Sequence, residues 1–141
     1  MLFRSQITKL TNNFSINLGE TPAVTGNAHR LEQVVVNLVQ NACESLETRD
    51  KAICVSTFID SRNADLVTIK VQDEGIGIEP NHLKKIMNPF FTTKRELGGT
   101  GLGLSVSLRI IEDHCGKLEI ESTQGVGTTA IVNLPRFVTK E

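Results

Sequence analysis

A glycine-rich segment that runs into a predicted helix is the first place where this sequence could bind a ligand. Residues 98–104 read Gly-Gly-Thr-Gly-Leu-Gly-Leu, and apolar residues at helical spacing follow. A helix N-terminus offers free N–H groups and a favourable dipole to an anion, and glycine lets the backbone approach a phosphate closely. A flexible turn is the alternative interpretation. The phosphate site would consist of Gly99, Thr100, Gly101, Leu102, Gly103 and Leu104.

Two other glycine motifs for phosphate binding are excluded. The P-loop pattern needs Gly-Lys-Ser or Gly-Lys-Thr, and the sequence contains neither. The pattern G-x-G-x-x-A occurs at Gly125, Gly127 and Ala130, but a strand-like run follows it, whereas the dinucleotide fingerprint must open a helix. Neither a Walker-type NTPase nor a dinucleotide-binding domain is therefore predicted.

An aspartate at the end of an apolar strand is the second candidate. In the run 66–73, Val, Ile and Val alternate on one face, and Asp73 continues that face toward the core. Burying an unpaired carboxylate costs several kcal/mol, so Asp73 needs a hydrogen-bond donor. Gly75 and Gly77 follow and leave room for a flat ring, so the amino group of a ligand is one such donor. A carboxylate that caps the turn after the strand is the alternative.

A polar stripe along the first predicted helix is the third candidate. It consists of Gln33, Asn37, Asn41 and Glu44, with Asn41 at the border of the apolar face. Asparagine is unfavourable inside a helix, so its presence here calls for a reason. The amide oxygens could help to hold a hydrated Mg²⁺, which takes few protein ligands and uses nucleotide phosphates for others. An ordinary solvated helix face is the alternative interpretation.

Hydrophobic periodicity predicts the elements that must position these residues. Strands are expected over 14–18, 52–59, 66–73, 117–121 and 128–134, and helices over 28–46, from Pro80 to 86, and over 104–115. Asn27 is expected to cap the first helix, and Gly116 to occupy the C-terminal cap of the last. The strands at 52–59 and 66–73 would form a hairpin. The sum is an α+β fold, a two-layer sandwich with a mainly antiparallel sheet and helices packed on one face.

The composition is that of one compact domain, and its charge balance does not favour binding to nucleic acid or to an anionic membrane. The chain has 141 residues, and 15 basic against 16 acidic side chains give a net charge of -1. We therefore expect no nucleic acid partner and no membrane contact. No apolar run approaches the roughly 20 residues that span a bilayer, and residues 1–5 are too poor in apolar side chains for a signal peptide. A cytoplasmic location is expected, although a longer protein containing this segment could still be anchored in a membrane.

The three cysteines, Cys43, Cys54 and Cys115, are expected to be small buried hydrophobes. Their odd number and wide spacing, without a C-x-x-C pair, argue against a disulfide framework and against a zinc site. The apolar face of the last helix would comprise Leu104, Leu108, Ile111 and Cys115.

Taken in order, these signals resemble the ATP-binding catalytic domain of bacterial sensor histidine kinases, in the GHKL superfamily that also includes gyrase, the heat-shock chaperone ATPases and MutL. The resemblance covers residues 13 to 135 and implies the GHKL, or Bergerat, ATP-binding fold. The form Thr92-Thr93-Lys94 is most similar to the nitrogen-regulation class. Five segments carry the resemblance: Arg30–Ala42 resembles the N box, Asp73–Gly77 the first glycine box, Pro89–Lys94 the F box, Gly99–Leu104 the second glycine box and Gly125–Thr128 the last.

The resemblance implies ATP and Mg²⁺ as ligands and assigns roles to individual residues. Asp73 would accept a hydrogen bond from the adenine amino group, and Asn41 and Asn37 would lie at the metal and the phosphates. Residues 88–101 would form a lid, in which Lys94 reaches the γ-phosphate as a point charge. Asn37 and Lys94 are accordingly the expected catalytic residues. The other expected nucleotide contacts are Gly75, Gly77, Ile78, Phe90, Thr93, the second glycine box and Thr128.

The phosphoacceptor of this family is a histidine followed by an acidic residue, and this chain contains no such pair. Its histidines, His29, His82 and His114, are followed by Arg, Leu and Cys. The resemblance therefore implies a separate dimerisation domain that carries the histidine, and a response-regulator aspartate that takes the phosphoryl group from it. A stand-alone GHKL module, such as an anti-sigma serine kinase or a pseudokinase scaffold, is the alternative.

The expected organisation is a linker remnant over 1–12, the ATP-binding domain over 13–137 and a tail over 138–141. Two positions depart from the family pattern. Glu44 stands where many sensor kinases have a lysine, which removes a phosphate contact, and Asn27 stands where an acidic residue is common.

Overall fold

The computed structural model describes residues 13–18, 26–48, 50–59, 65–86 and 101–136. These residues form a five-stranded sheet with the order β1-β2-β3-β5-β4. The β1–β2 pair is parallel, and the pairs β2–β3, β3–β5 and β4–β5 are antiparallel, which confirms the mainly antiparallel α+β fold. The elements are β1 (Asn13–Leu18), α1 (Ala28–Ser45), β2 (Ala52–Ile59), β3 (Leu66–Asp73), α2 (Pro80–Ile86), α3 (Gly101–Asp113), β4 (Lys117–Thr123) and β5 (Gly127–Pro135).

The strand β3 lies in the middle of the sheet and is paired along its whole length. It forms the predicted hairpin with β2, and its other edge pairs with β5 from Leu66 opposite Pro135 to Asp73 opposite Thr128. The end of β3 is thus fixed from both sides. This pairing brings residue 73 next to a strand that follows it by more than fifty positions in the sequence.

The helix α1 begins at its predicted cap. Asn27 has an extended backbone, and its side chain accepts a hydrogen bond from the backbone N–H of Arg30. The three consecutive valines 34–36, which locally favour a strand, lie inside this helix because the apolar spacing of the whole segment decides the structure. An acidic residue at position 27 could cap the helix in the same way. The presence of Asn27 in its place therefore does not weaken the N-terminal cap of α1.

A single core lies between α1, α3 and one face of the sheet. Buried side chains of α1 meet those of α3 and of the central strands, as period-two alternation in the strands requires. Among the described residues, no helix is long and apolar enough to cross a membrane. The core comprises Val34, Leu38, Val39, Ala42, Cys43, Ile53, Val55, Val71, Leu104, Ile110, Ile111, Leu118, Ala130, Val132 and Leu134.

The start of α1 is joined to the end of α3 by polar contacts. A guanidinium nitrogen of Arg30 lies 2.7 Å from a carboxylate oxygen of Asp113, and this contact holds the pKa of Asp113 below its ordinary value. The backbone N–H of Asn27 donates to Nε2 of His114 at 3.0 Å, while Nδ1 of His114 lies 2.7 Å from the Ile110 carbonyl oxygen. Because Nε2 accepts from Asn27, Nδ1 is the ring nitrogen that faces the Ile110 carbonyl as a donor. His114 therefore anchors one helix end to the other.

The C-terminus of α3 differs from the prediction. Cys115, not Gly116, has the left-handed backbone, with φ of 59°. The N–H of Cys115 donates to the Glu112 carbonyl and that of Gly116 to the Ile111 carbonyl, which is the hydrogen-bond pattern of a Schellman cap with Cys115 at its left-handed position. Cys115 is exposed, so its assignment to the buried face of α3 is wrong.

Gly116 is required for a different reason than the one predicted. A Cβ at this position would lie 2.6 Å from the carbonyl oxygen of Asn133 and 2.7 Å from a methyl group of Leu134. The chain must pass this close to β5 to enter β4, so the constraint comes from strand packing and could not be recognised from local sequence. Of the other cysteines, Cys43 is buried as expected, and Cys54 is half-buried.

We predict opposite effects for substitutions at these neighbouring positions. Cys115→Gly should raise the free energy of unfolding by about 0.5–1 kcal/mol, because glycine adopts the left-handed conformation without a Cβ penalty. Gly116→Ala should lower it by about 1–3 kcal/mol, because the added methyl group overlaps β5. Urea denaturation followed by circular dichroism measures both. A neutral Gly116→Ala together with a destabilising Cys115→Gly would mean that the cap is assigned to the wrong residue.

Candidate functional site

The carboxylate of Asp73 is the centre of the candidate site. It is 7% exposed, as the period-two argument predicted, and it lies on the core-facing side of β3. Its Oδ1 accepts hydrogen bonds from the backbone N–H of Gly75 at 2.9 Å and from that of Thr128 at 3.2 Å. An ionised carboxylate can accept about four hydrogen bonds, so two backbone donors leave it able to accept from a ligand.

Burial sets the electrostatics of this carboxylate. Desolvation raises the pKa of Asp73 above the ordinary 3.8, and the N–H groups of Gly75 and Thr128 and the hydroxyl of Ser45 act in the opposite direction. The Ser45 hydroxyl also donates to the Ala42 carbonyl, so its one proton is shared between two acceptors. Desolvation is the larger effect, so the pKa of Asp73 is raised. A ligand that brings an N–H group would add a hydrogen bond and stabilise the ionised form of Asp73.

The glycines that follow Asp73 are required by the protein itself. A Cβ on Gly75 would lie 2.1 Å from Oγ of Ser45, and Gly77 has φ of 73° with a would-be Cβ 2.2 Å from the Thr123 carbonyl oxygen. Gly127 likewise lies against the carbonyl of Asp73, where a Cβ would be 2.1 Å away. The prediction that Gly75 and Gly77 make room for a flat ring is therefore incomplete, because their absent side chains first let the loop pack on α1 and β4.

The loop from Gly75 to Ile78 is held at three points. The N–H of Ile76 donates to the Ser45 carbonyl at 2.9 Å, and the Ile76 carbonyl accepts from Gly125 at 2.7 Å. The N–H of Ile78 donates to the hydroxyl of Ser122 at 2.8 Å. The predicted contact residue Ile78 also packs its half-buried side chain against the core. The loop is thus a fixed part of the site, tied to α1 on one side and to the β4–β5 hairpin on the other.

Ser122 was missed by the sequence reasoning, although a signal for it exists. Leu118 and Ile120 alternate on the core-facing side of β4, and Ser122 continues that side, as Asp73 does on β3. A polar residue in an apolar alternation needs a partner, and Ser122 has several. The same signal applies to Ser107, which is fully buried on the apolar face of α3.

Polar side chains of α1 contact both α3 and Asp73. The amide of Asn37 accepts from Nε2 of Gln33 at 2.8 Å and donates to Oγ of Ser107 at 3.3 Å. Asn41 lies one turn further along and is half-buried, and Ser45, one turn beyond it, contacts Asp73. The structure therefore uses Asn37 to tie α1 to α3, in addition to any role at the phosphates.

The described part of the second glycine box, from Gly101 to Leu104, forms the first turn of α3. The helix begins at Gly101, so Gly101, Leu102 and Gly103 contribute backbone N–H groups without intrahelical partners. Leu104 is buried in the core, where its side chain anchors this turn. The other predicted contacts of this region lie outside the described residues: Phe90, Thr93, Lys94, Gly99 and Thr100.

The candidate metal ligands on α1 are the amide oxygens of Asn37 and Asn41. Within the described ranges, no group of three or more His, Cys, Asp or Glu side chains could hold a metal. The half-buried amides of Asn37 and Asn41 offer oxygen ligands of the kind that Mg²⁺ accepts when phosphates and water supply the remaining positions. The residues present fit a Mg²⁺ ion that arrives with a nucleotide and do not fit a site that holds the ion alone.

Comparison with known proteins identifies the family of this chain. The sequence profile of the family described as histidine kinase-, DNA gyrase B-, and HSP90-like ATPase matches residues 26–137. Sporulation kinase E of Bacillus subtilis strain 168 is 37% identical over 118 residues, which cover 84% of this chain and 15% of that protein. The histidine-protein kinase AtoS of Escherichia coli K12 is 39% identical over 118 residues, covering 82% of this chain and 18% of AtoS.

A solved structure extends the likeness to three dimensions. The catalytic domain of histidine kinase ThkA, in a nucleotide-free form, superposes with a TM-score of 0.78 at 35% sequence identity. The match covers 96% of this chain and 87% of that domain. The chain thus has nearly the extent of that catalytic domain, whereas it spans less than a fifth of the two curated relatives.

We predict that Asp73→Asn does not destabilise the protein at neutral pH. The folded-state pKa of Asp73 lies above its unfolded value, so this carboxyl group opposes folding increasingly as the pH rises through the folded pKa. The amide oxygen of the substituted side chain would still accept from Gly75 and Thr128 without a buried charge. Denaturation of both proteins between about pH 4 and pH 7 should show the variant gaining stability relative to the wild type as the pH rises. The opposite trend would show that the carboxylate is stabilised in the fold.

Proposed function

Because the chain belongs to the family of histidine kinase-, DNA gyrase B- and HSP90-like ATPases, we propose that its site binds ATP with Mg²⁺ and presents the γ-phosphoryl group to a histidine. The chain is a histidine-kinase-type ATP-binding catalytic domain. The observation that carries the proposal is the buried Asp73 carboxylate, held by two backbone N–H groups beside a fixed glycine loop. This arrangement suits the exocyclic amino group of adenine, since that group supplies the donor that the buried carboxylate lacks.

Base recognition would depend on the charge of Asp73. Adenine presents an amino group as a donor, whereas hypoxanthine and guanine present a carbonyl oxygen at the same ring position. A carboxylate attracts the first and repels the second, so the site is expected to prefer adenine nucleotides. Gly75, Gly77, Ile78 and Thr128 would form the wall beside the base, because Gly75 and Thr128 donate to Asp73 and the loop that continues through Gly77 to Ile78 is bound by Ser122.

The phosphates would extend from the base along α1 toward the first turn of α3. The free N–H groups of Gly101, Leu102 and Gly103 suit an anion at a helix N-terminus. Asn41 and Asn37 would supply amide oxygens for Mg²⁺, which when bound neutralises phosphate charge. Lys94 is proposed to contact the γ-phosphate, and Phe90, Thr93, Gly99 and Thr100 to complete the phosphate side of the site. The domain would thus contribute position and charge to an in-line transfer.

The acceptor is proposed to be a histidine on a separate dimerisation domain of the longer protein. The three histidines of this chain lack an acidic residue after them, and His114 is already engaged between α1 and α3. A response-regulator aspartate would then take the phosphoryl group. We further propose that 1–12 is a linker remnant, 13–137 the catalytic domain and 138–141 a tail, and that the domain acts in the cytoplasm.

We predict that Asp73→Asn weakens ADP binding at least tenfold, because the amide nitrogen can donate toward the adenine amino group where a carboxylate oxygen only accepts. Isothermal titration calorimetry in Mg²⁺ measures the affinity. The matched control is Glu119→Gln, which neutralises a carboxylate on the opposite face of the sheet in β4 and should leave the affinity unchanged. Equal ADP affinities for Asp73→Asn and wild type would remove the adenine assignment.

We also predict that Lys94→Ala separates binding from transfer. ADP affinity should stay within about twofold of the wild type, while phosphotransfer from γ-labelled ATP in the full-length protein should fall at least tenfold, because Lys94 is assigned to the γ-phosphate alone. The label should be acid-labile and base-stable, as expected of phosphohistidine. Acid-stable, base-labile label would instead identify a serine kinase, and an equal loss of ADP affinity would place Lys94 elsewhere in the site.

A further inference from the structure

The hydroxyl of Ser122 uses all of its hydrogen-bonding capacity at the candidate site. Its oxygen accepts from the N–H of Ile78 at 2.8 Å and lies 3.1 Å from the carbonyl oxygen of Gly127 and 2.7 Å from Oγ1 of Thr128. A serine hydroxyl has one proton and two lone pairs. All three contacts are satisfied at once when Ser122 donates to Gly127 and accepts from both Ile78 and Thr128.

These contacts close a ring around the carboxylate. Thr128 meets Ser122 through its hydroxyl and donates its backbone N–H to Oδ1 of Asp73. Gly75 donates to the same Oδ1, and the loop returns from Gly75 to Ile78, whose N–H is bound by Ser122. The ring joins the end of β3, the loop after it, β4 and β5. The other two attachments of the loop are backbone to backbone, so Ser122 is the side chain that holds the loop in the ring.

We propose that Ser122 is a positioning residue for recognition of the adenine amino group, which it serves by fixing the loop 75–78 and, through Thr128, the orientation of the Asp73 carboxylate. The inference rests on the proposed nucleotide function of the site. Ser122 is assigned no contact with the nucleotide, since its three bonding positions are occupied by the protein. Its effect is therefore expected only for ligands that use the carboxylate.

The loss of this hydroxyl would leave three polar groups with fewer partners. In Ser122→Ala the N–H of Ile78 has no acceptor at this point and the Gly127 carbonyl loses a donor, so the loop would shift toward water to recover hydrogen bonds. Gly75 is part of that loop, and its N–H is one of the two backbone donors to Asp73. A shift of the loop thus changes the direction in which the carboxylate points. The backbone pairing of β3 with β5 stays in place, since Thr128 still lies opposite Asp73.

The test compares two nucleotides that differ at the amino group. ADP carries it, and inosine diphosphate has a carbonyl in its place. Ser122→Ala should raise the Kd for ADP about threefold to tenfold and change that for inosine diphosphate less than twofold. Equal losses for both nucleotides would overturn the proposal, because the hydroxyl would then act on the fold or on the phosphates. An unchanged Kd for ADP would overturn it as well.

A double-mutant cycle with Asp73→Asn tests whether the effect passes through the carboxylate. In the Asp73→Asn background, Ser122→Ala should change ADP affinity less than twofold, since the interaction it serves is already lost. An undiminished loss in that background would contradict the proposal. The matched control is Thr68→Val, which removes a buried hydroxyl that donates to Asn133 on the opposite face of β3 and should leave both nucleotide affinities unchanged.

Hydrogen exchange of the Ile78 amide tests the ring without any nucleotide. Exchange should be at least tenfold faster in Ser122→Ala and unaltered in Thr68→Val. If wild-type protein binds neither nucleotide while Ile78 responds in this way, the proposed function fails although the ring is real. If wild-type protein binds ADP and Ile78 does not respond, the positioning role fails alone. Should Ser122→Ala unfold, Ser122→Cys keeps a side chain of similar size and weakens both the donated and the accepted hydrogen bonds, and the same outcomes apply.

Discussion

The burial of one carboxylate constrains the whole of the candidate site. Asp73 ends a central strand on its core-facing side, where ionisation is opposed by the loss of water. The protein compensates with backbone N–H groups, and these must come within about 3 Å, so the chain has to pass very close to the carboxylate on both sides. Gly75 and Gly127 are the residues that allow this approach, because a Cβ at either would overlap Ser45 or Asp73 itself. The compensation is incomplete, which is what makes the carboxylate available to a ligand.

A second constraint is that α1 and α3 have to keep a fixed relation, since one carries the amide stripe and the other the glycine turn. They are joined at two levels. Arg30 and Asn27 at the start of α1 contact Asp113 and His114 at the end of α3, and Asn37 contacts the buried Ser107 in between. The contacts lie from the start to the middle of α1 and from the middle to the end of α3, so a displacement of one helix along the other would have to break or stretch them. The helix pair is accordingly the rigid side of the site.

Much of this organisation could be predicted from the sequence, and the failures share one cause. The strand boundaries 52–59 and 66–73, the Asn27 cap and the burial of Asp73 all follow from local periodicity and capping chemistry, which depend on neighbours in the sequence. The role of Gly116, the exposure of Cys115 and the packing role of Gly75 depend on which distant segment passes nearby, and no local pattern records that. Ser122 and Ser107 lie between these cases. Each lies on an otherwise apolar face of its element, as Asp73 does. Serine is small and only weakly polar, so such a position is easily assigned to the surface.

The position of β5 has a consequence for how the protein is made. Asp73 receives one of its two backbone donors from Thr128, which follows it by 55 residues, and β5 lies between β3 and β4 in the sheet. While the chain emerges from the ribosome, β3 has only β2 beside it, and its free edge and the carboxylate at its end remain in water. Because the chain emerges from its N-terminus, the surroundings of Asp73 cannot be completed until β5 has been synthesised. A nascent chain that already contains α1 and the first turn of α3 therefore still lacks the Thr128 donor, and premature termination before residue 128 yields a product in which, of the two backbone donors to Asp73, Gly75 alone remains.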